Sequence, residues 1–226
     1  MVNVEQILRS RLGRGAKTKR MLLALALMGL TLVSLSGFSE AASAQSLISM
    51  RGTDRIQVVG RAGPTQAWVS FCQHRPRECH IDLSQPTRIA LTPGIWAALT
   101  QVNERVNSLI LAVTDQDHWG VLDRWDYPDD GLGDCEDIQL MKRKLLVQAG
   151  LPHRVLRMTA VIDDQGQGHA VLMVLTDKGD FILDNKRNAI LPWRRTGYTF
   201  IKREGTHGKA WVALGDQAAP TVTANR

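Results

Sequence analysis

A cysteine at the predicted start of a helix is the residue of this sequence best placed for nucleophilic chemistry. Cys135 follows the run Gly-Leu-Gly-Asp and precedes a stretch whose apolar residues recur at helical spacing. A helix N-terminus presents free N–H groups and the positive end of a dipole, and both favour a thiolate. The position therefore predicts a nucleophilic thiol. The alternative is a buried cysteine that packs as a small hydrophobic residue.

A histidine and an aspartate occupy the positions that would complete a catalytic set. A nucleophilic thiol needs a base, and the base needs a group that orients it. His169 opens one predicted strand, Asp184 closes the next, and a glycine-containing turn at residues 177–179 predicts a hairpin between them. We expect the two residues to lie within a few positions of direct opposition. Their predicted roles are general base for His169 and orienting carboxylate for Asp184; an ordinary turn or core histidine is the alternative.

The first 44 residues carry the features of an export signal. Residues 1–20 contain six basic residues and one acid, residues 21–35 carry no charge, and Ala42-Ser43-Ala44 matches an A-x-A cleavage site. We predict a signal peptide over residues 1–44, cleaved after Ala44, and hence a periplasmic protein. An uncleaved anchor in the inner membrane, with the domain facing the periplasm, is the alternative.

Removing this segment changes the charge of the protein. The 226-residue chain has a net charge of +6, of which residues 1–44 contribute +4, so the mature chain carries +2. No basic stripe with interleaved aromatic residues remains, and a nucleic-acid partner is therefore not expected. The hydrophobic fraction of the full 226-residue chain, 44 %, excludes an intrinsically disordered chain.

The other two cysteines lie close together in sequence. Cys72 and Cys79 flank a polar loop, and in an oxidising compartment such a pair predicts a local disulfide. A zinc site that uses His74 and His80 is the alternative, although the spacing matches none of the usual structural sites. A disulfide would leave Cys135 as the third cysteine, outside the bridge.

The elements that must position these residues follow an α+β order. Thr92-Pro93 predicts a helix start, and residues 114–133 predict a long functional loop. A second helix is predicted to start around Cys135 and to be stopped by Gly150 and then Pro152. On this second helix Lys142, Arg143 and Lys144 are predicted to face outward. The predicted strands are 155–162, 169–175, 181–183, 198–202 and 211–214. Helices followed by an antiparallel meander indicate a nucleophile helix packed on an antiparallel sheet. We expect a poorly ordered lead-in over 45–66, a folded domain over 67–215 and a C-terminal tail over 216–226.

Several blocks together resemble one known family. The runs GDCEDIQLMKRKLLVQAG and GHAVLMVLTDKGDFILDN, with FCQHRPREC, VNERVNSLI and DQDHWGVLDRWDYPDDG, are similar to the bacterial transglutaminase-like cysteine peptidases of the LapG type. The resemblance covers roughly residues 66–214. It implies a papain-like or transglutaminase-like core with Cys135 as nucleophile, His169 as general base and acid, and Asp184 as orienting residue. Asn185 belongs to the matching block, but we assign it no role.

The resemblance also implies calcium, because LapG-type members bind it through acids that flank the nucleophile. The matching positions here are Asp134, Glu136 and Asp137, with Asp129 and Asp130 nearby. Like-charge repulsion from these acids would raise the pKa of the Cys135 thiol, and a bound Ca²⁺ would reverse that effect. Acids that only cap and solvate the helix start are the alternative.

The partners that the resemblance implies are an exported or cell-surface protein as substrate and an inner-membrane receptor that regulates the protease through cyclic-di-GMP. The cysteine pair is not associated with the adhesin-cleaving members. Hydrolysis of peptide bonds is the leading interpretation. A non-catalytic binding module with the same fold, and acyl transfer to an amine, are the alternatives.

Overall fold

The computed structural model describes residues 55–215. The predicted signal peptide over 1–44 and the predicted tail over 216–226 lie outside the described residues, as do residues 45–54 of the expected lead-in. Within the described range, no helix is long and apolar enough to cross a membrane.

A seven-stranded antiparallel sheet forms the framework of the domain, with the strand order β1-β9-β8-β4-β5-β6-β7. The strands of this sheet are β1 (Gly60–Ala62), β4 (Leu156–Ile162), β5 (Gly168–Thr176), β6 (Gly179–Leu183), β7 (Leu191–Pro192), β8 (Thr199–Glu204) and β9 (Trp211–Ala213). The remaining two strands, β2 (Leu111–Ala112) and β3 (Leu132–Gly133), form a short parallel pair. Strands β4 to β6 are rich in apolar and β-branched residues and are buried almost throughout, which is typical of central strands covered on both faces.

Within residues 55–215, four helices accompany the sheet and three short 3₁₀ turns connect elements. The helices are α1 (Gln66–His74), α2 (Pro93–Leu109), α3 (Asp115–Trp119) and α4 (Cys135–Gln148). Thr92 caps α2 by accepting a hydrogen bond from the Ile95 amide, as its sequence predicts. Helix α4 packs on β5 and β4 and against α2, so it lies in the centre of the domain. The predicted α+β architecture is therefore confirmed, with the helix that begins at Cys135 packed on an antiparallel sheet.

The central position of α4 corrects one prediction. Lys142 and Arg143 were expected to face outward, but both side chains are fully buried, and only Lys144 is partly exposed. The prediction is wrong because the partner of Arg143 lies far along the chain: Glu204 on β8 receives hydrogen bonds of 2.8 and 3.1 Å from Arg143 Nη1. Gly150, with φ of 96°, follows the helix in a left-handed conformation that suits glycine, as its sequence predicts.

Two further expectations differ from the structure. Residues 60–62, in the lead-in expected to be poorly ordered, form the edge strand β1 because they pair with β9. Residues 114–133, expected to form one long loop, contain α3 and β3. Thr114 caps α3, while β3 pairs with β2 and so ties the segment before Cys135 to the end of α2.

A disulfide joins Cys72 on α1 to Cys79 at the end of the 3₁₀ turn Pro76–Cys79, with Cα atoms 5.6 Å apart. This is the pairing that the sequence predicts. Because both sulfur atoms belong to the bond, the zinc alternative with His74 and His80 has lost its thiolate ligands.

Candidate active site

Cys135 is the first residue of α4, and its thiol is completely buried. The Sγ atom donates to Oε2 of Glu136 over 3.0 Å and accepts a hydrogen bond of 3.4 Å from the backbone amide of Ala170. Ala170 follows His169 on β5, so the thiol lies against the start of that strand. Burial raises the pKa of the thiol well above its usual value, and the charges of Glu136 and Asp134 raise it further.

His169 and Asp184 form a buried pair at the ends of neighbouring strands. The distance from His169 Nε2 to Asp184 Oδ1 is 2.8 Å, and both side chains are essentially inaccessible to solvent. The register pairs Leu172 with Leu183, which leaves His169 two residues from direct opposition to Asp184, as the hairpin predicts. The structure therefore brings these two predicted residues together.

Asp184 is held in its ionised form by several donors. Burial opposes ionisation, but the hydrogen bond and charge of His169 and the hydroxyl of Tyr198 outweigh it and lower the pKa of Asp184 to about 2. Tyr198 donates to Oδ2 over 2.7 Å, and the Lys186 amide donates to Oδ1 over 3.0 Å. An ionised carboxylate only accepts, so Nε2 of His169 carries the proton. Nδ1 has no hydrogen-bond partner among the described residues and is left to accept one.

Tyr198, which lies 14 residues after Asp184, is a residue of the site that the sequence did not indicate. Its ring meets the imidazole of His169 edge-on, with centroids 5.8 Å apart. Nothing local to Tyr198 in the sequence indicates this contact, because it arises where β8 begins beside β4. Asn185 accepts a hydrogen bond from Gln139 on α4 and so connects the end of β6 to that helix.

Five buried or largely buried carboxylates lie beside Cys135 and form what we call the acidic cluster. Its members are Asp115, Asp123, Asp134, Glu136 and Asp137. Their oxygens fall into overlapping groups within 4.8 Å of one another, and one further group combines Asp134 and Glu136 with the Cys135 sulfur. Three of the predicted ligand positions therefore come together. Asp129 and Asp130 do not join them: both are exposed, and Asp130 pairs with His118 instead.

The electrostatics of the acidic cluster are unfavourable without a cation. Burial and the neighbouring carboxylates raise the pKa of Asp134 to about 7, and they raise those of Glu136 and Asp137 well above their usual range. Both oxygens of Asp134 and Oε1 of Glu136 are buried without a hydrogen bond of normal geometry. Asp134 stands at the cap position of α4 but makes no side-chain capping bond, so the capping alternative does not account for it. This donor set fits a hard cation such as Ca²⁺.

The backbone around the acidic cluster is built to bring carboxylates close together. A Cβ atom added at Gly133 would lie 2.9 Å from Cβ of Asp137 and 3.0 Å from Cβ of Pro128. The segment 123–126 is tied to the cluster by the Arg124 amide, which donates to Asp115, and by the Asp126 amide, which donates to Asp137 over 2.8 Å. Asp115 and Asp123 thereby approach residues that lie far from them in sequence.

The model of the bacterial transglutaminase-like cysteine proteinases matches residues 59–219. The chain therefore belongs to that family. Among solved structures, Legionella pneumophila LapG is 28 % identical over 56 % of this chain and 73 % of its own, with a TM-score of 0.46. Calcium-bound LapG from the same organism is 27 % identical over 59 % and 76 %, with a TM-score of 0.47. The EGTA-treated form is 26 % identical over 58 % and 73 %, with a TM-score of 0.47. None of the curated proteins matches the chain.

Proposed function

We propose that this protein is a cysteine endopeptidase that cleaves peptide bonds of an exported or cell-surface protein through Cys135, His169 and Asp184. The observation that carries the proposal is the buried His169–Asp184 pair, which leaves Nδ1 of the imidazole as an acceptor on the same strand whose Ala170 amide contacts the Cys135 sulfur. Membership of the proteinase family supports the same reaction class.

The proposed reaction starts with attack of Cys135 Sγ on the substrate carbonyl carbon, while the thiol proton passes to Nδ1 of His169. Asp184 stabilises the resulting imidazolium through Nε2. The imidazolium then gives its proton to the leaving amine as the C–N bond breaks. A water attacks the thioester, its proton returns to His169, and the acid product leaves as the thiol re-forms. The amides at the start of α4 are oriented to favour developing negative charge.

We further propose that Asp134, Glu136 and Asp137, together with Asp115 and Asp123, hold a calcium ion. Buried carboxylate oxygens without a hydrogen bond of normal geometry support this site, as does the oxygen-only character of the donor set outside Cys135. A cation bound there supplies positive charge that lowers the pKa of the neighbouring thiol. Glu136 has two oxygens with different surroundings: Oε2 accepts the Cys135 thiol, and Oε1 is unsatisfied.

Calcium binding is tested by competition with a fluorescent chelator. We expect Asp134→Asn and Glu136→Gln to weaken binding at least tenfold, whereas Asp129→Asn, which removes an exposed acid outside the cluster, leaves affinity unchanged. If chelation alters neither the melting temperature nor the reactivity of Cys135 in the wild type, the acidic cluster is not a calcium site.

A second candidate function is a non-catalytic binding module. The observation in its favour is that the Cys135 thiol is fully buried and hydrogen-bonded to Glu136. Exported proteins incubated with wild type or with Cys135→Ala, followed by mass spectrometry of new termini, separate the two. Cleavage by the wild type alone supports the peptidase, and binding without new termini supports the module. Incorporation of an added amine into a glutamine side chain would instead indicate acyl transfer.

We propose a periplasmic location, with an inner-membrane receptor as regulatory partner. The export signal predicted over residues 1–44 supports the location. Fractionation of cells should place the protein in the periplasmic extract, with Gln45 as its N-terminal residue. Recovery with the membrane and an intact N-terminus would favour the anchored alternative. A receptor is tested by co-purification of an inner-membrane protein with tagged Cys135→Ala.

A further inference from the structure

A cavity of about 600 Å³ opens beside the acidic cluster and is not used by the proposed reaction. Ser70, His74 and Arg75 from α1 and its end line one wall, and residues 123–126 line the other. Both walls are anchored. The disulfide fixes the end of α1 to the following turn, and the Asp126 amide is bonded to Asp137. The cavity is therefore a preformed feature of the domain, as binding sites commonly are.

The cavity is close to the nucleophile through a short chain of contacts. Asp123 lies on its wall, and a carboxylate oxygen of Asp123 lies within 4.8 Å of one of Glu136. Glu136 in turn accepts the thiol of Cys135 over 3.0 Å. Because an extended peptide advances about 3.3 Å per residue, a substrate held at Cys135 reaches this cavity within a few residues of the cleaved bond.

Two arginines give the cavity its chemical character. Arg75 donates to Oδ1 of Asp126 over 2.6 Å, and Arg124 donates to Oδ2 over 3.1 Å. Asp126 also accepts a hydrogen bond from the Tyr127 amide. A single carboxylate is therefore paired with two guanidinium groups and one amide. The local charge of the trio is therefore positive. Asp123 also lines the cavity, but its carboxylate belongs to the acidic cluster, where the proposed calcium ion would balance its charge.

Both guanidinium groups are accessible and held in place. The side chains of Arg75 and Arg124 are 40 % and 46 % exposed. Arg75 stacks over the Tyr127 ring at 5.0 Å and Arg124 over the Trp119 ring at 4.3 Å, which limits the entropy lost when they bind a ligand. Fixed guanidinium groups with donors to spare suit a carboxylate ligand.

We infer that this cavity is a subsite that accepts an acidic side chain of the peptide substrate, through Arg75 and Arg124. The inference rests on the proposed peptidase function, since it assigns the cavity to the same substrate. In the empty subsite, Asp126 accepts hydrogen bonds from both arginines. In the filled subsite, the two arginines would pair with both Asp126 and the carboxylate of the substrate.

The test uses the otherwise intact mature protein carrying Cys135→Ala and fluorescent hexapeptides that differ only by Glu or Gln at one position. Anisotropy titrations should show tighter binding of the Glu peptide for at least one position, by about fivefold to tenfold at low salt. Arg75→Gln and Arg124→Gln should each remove most of this preference. Arg77→Gln is the matched control, because it removes an exposed arginine of the same loop that does not line the cavity.

Asp126→Asn distinguishes a binding role from a purely structural one. If the arginines bind substrate, removing the carboxylate that competes for them strengthens the Glu preference. If the arginines only stabilise the loop, this variant and the arginine variants all lower the melting temperature and change the affinities for Glu and Gln peptides equally. That result overturns the inference. Equal binding of Glu and Gln peptides at every position overturns it as well.

Failure of the inference and failure of the proposed function give different results. Cleavage by the wild type without a Glu preference removes only the subsite. A Glu preference that depends on Arg75 and Arg124, in a protein that cleaves nothing, retains the subsite and removes the peptidase.

Discussion

Helix α4 carries two buried groups of charges that are organised in opposite ways. At its start, the acidic cluster gathers five carboxylates, and Asp134 has no hydrogen bond of normal geometry at either oxygen. Farther along, Glu204 of β8 accepts hydrogen bonds from Arg143, from the Trp68 indole and from the Met158 amide, with Arg157 3.8 Å away. We call this second group the Glu204 network.

The two groups differ in whether their buried charges are compensated by opposite charges. Burial opposes the charge of Glu204, but Arg143 and Arg157 outweigh it and lower the pKa of Glu204 to about 2. In the acidic cluster burial and repulsion act together, and the pKa of Asp134 rises to about 7. A buried charge with its partners in place contributes to a defined fold, whereas buried carboxylates without a counter-charge must bind protons or a cation. We therefore propose that the start of α4 serves function and that its later part serves the fold.

The largest expected effect comes from removing the anion of the Glu204 network. Glu204→Gln leaves Arg143 and Arg157 buried without a counter-charge, and we expect a loss of about 3–5 kcal/mol in the free energy of unfolding. Urea denaturation measures it. Glu104→Gln, on the exposed face of α2, is the control and should change stability by less than about 0.5 kcal/mol. A loss below about 1 kcal/mol for Glu204→Gln would mean that the arginines find other partners.

The contribution of the acidic cluster to stability should depend on pH in the opposite sense to that of the Glu204 network. The pKa of Asp134 is raised in the folded protein, so the folded state binds more protons than the unfolded state between about pH 4 and pH 7. In a chelator, its contribution to stability is thus present at pH 4 and lost as the pH rises through about 7. We expect Asp134→Asn to reduce this loss by about 1–2 kcal/mol at pH 8, measured by urea denaturation.

Two further measurements test this prediction about the acidic cluster. Added calcium should stabilise the wild type at pH 8 and have much less effect on Asp134→Asn. The Glu204 network provides the internal reference: its contribution is lost only as the pH falls from about 4.5 to about 2, because the pKa of Glu204 is lowered. A wild type that gains stability in chelator between pH 4 and pH 7 would contradict the account of the acidic cluster.

The smallest expected effect concerns the support of Asp184. Tyr198→Phe removes the hydroxyl that donates to Asp184 Oδ2 and leaves the ring beside His169. We expect about 1 kcal/mol less stabilisation of the imidazolium, which corresponds to a roughly fivefold slower alkylation of Cys135. Stability should fall by no more than about 1–1.5 kcal/mol. Tyr127→Phe, which changes a tyrosine away from Asp184, is the control, and an equal rate in wild type and Tyr198→Phe would exclude a supporting role.

Local sequence signals were sufficient to place the principal residues. The start of α4 at Cys135 and the β5–β6 hairpin depend on glycines, caps and periodicity that act over a few residues, so the closeness of His169 and Asp184 was predictable. The resemblance added the acids at 134, 136 and 137. The sequence could not predict that Asp115 and Asp123 belong to the same cluster. Their approach depends on the folded backbone of residues 114–133, which the sequence indicated as one loop.

The error at Lys142 and Arg143 has the same origin. Basic residues on a helix predict an exposed face, and the opposite conclusion requires knowing that α4 is surrounded and that Glu204 lies beside it. Glu204 is 61 residues away from Arg143 in sequence. Pairings over such separations are tertiary information that periodicity does not contain.

Our central proposal is that His169 is the base that activates Cys135 and that Asp184 orients His169. Its most direct test is the rate of iodoacetamide alkylation of Cys135, measured by mass spectrometry from pH 5 to pH 9 in saturating calcium. We predict rapid alkylation of the wild type at neutral pH, a decrease of at least tenfold in His169→Ala, and a smaller decrease in Asp184→Asn. Equal rates in the wild type and His169→Ala would contradict the assignment of the base.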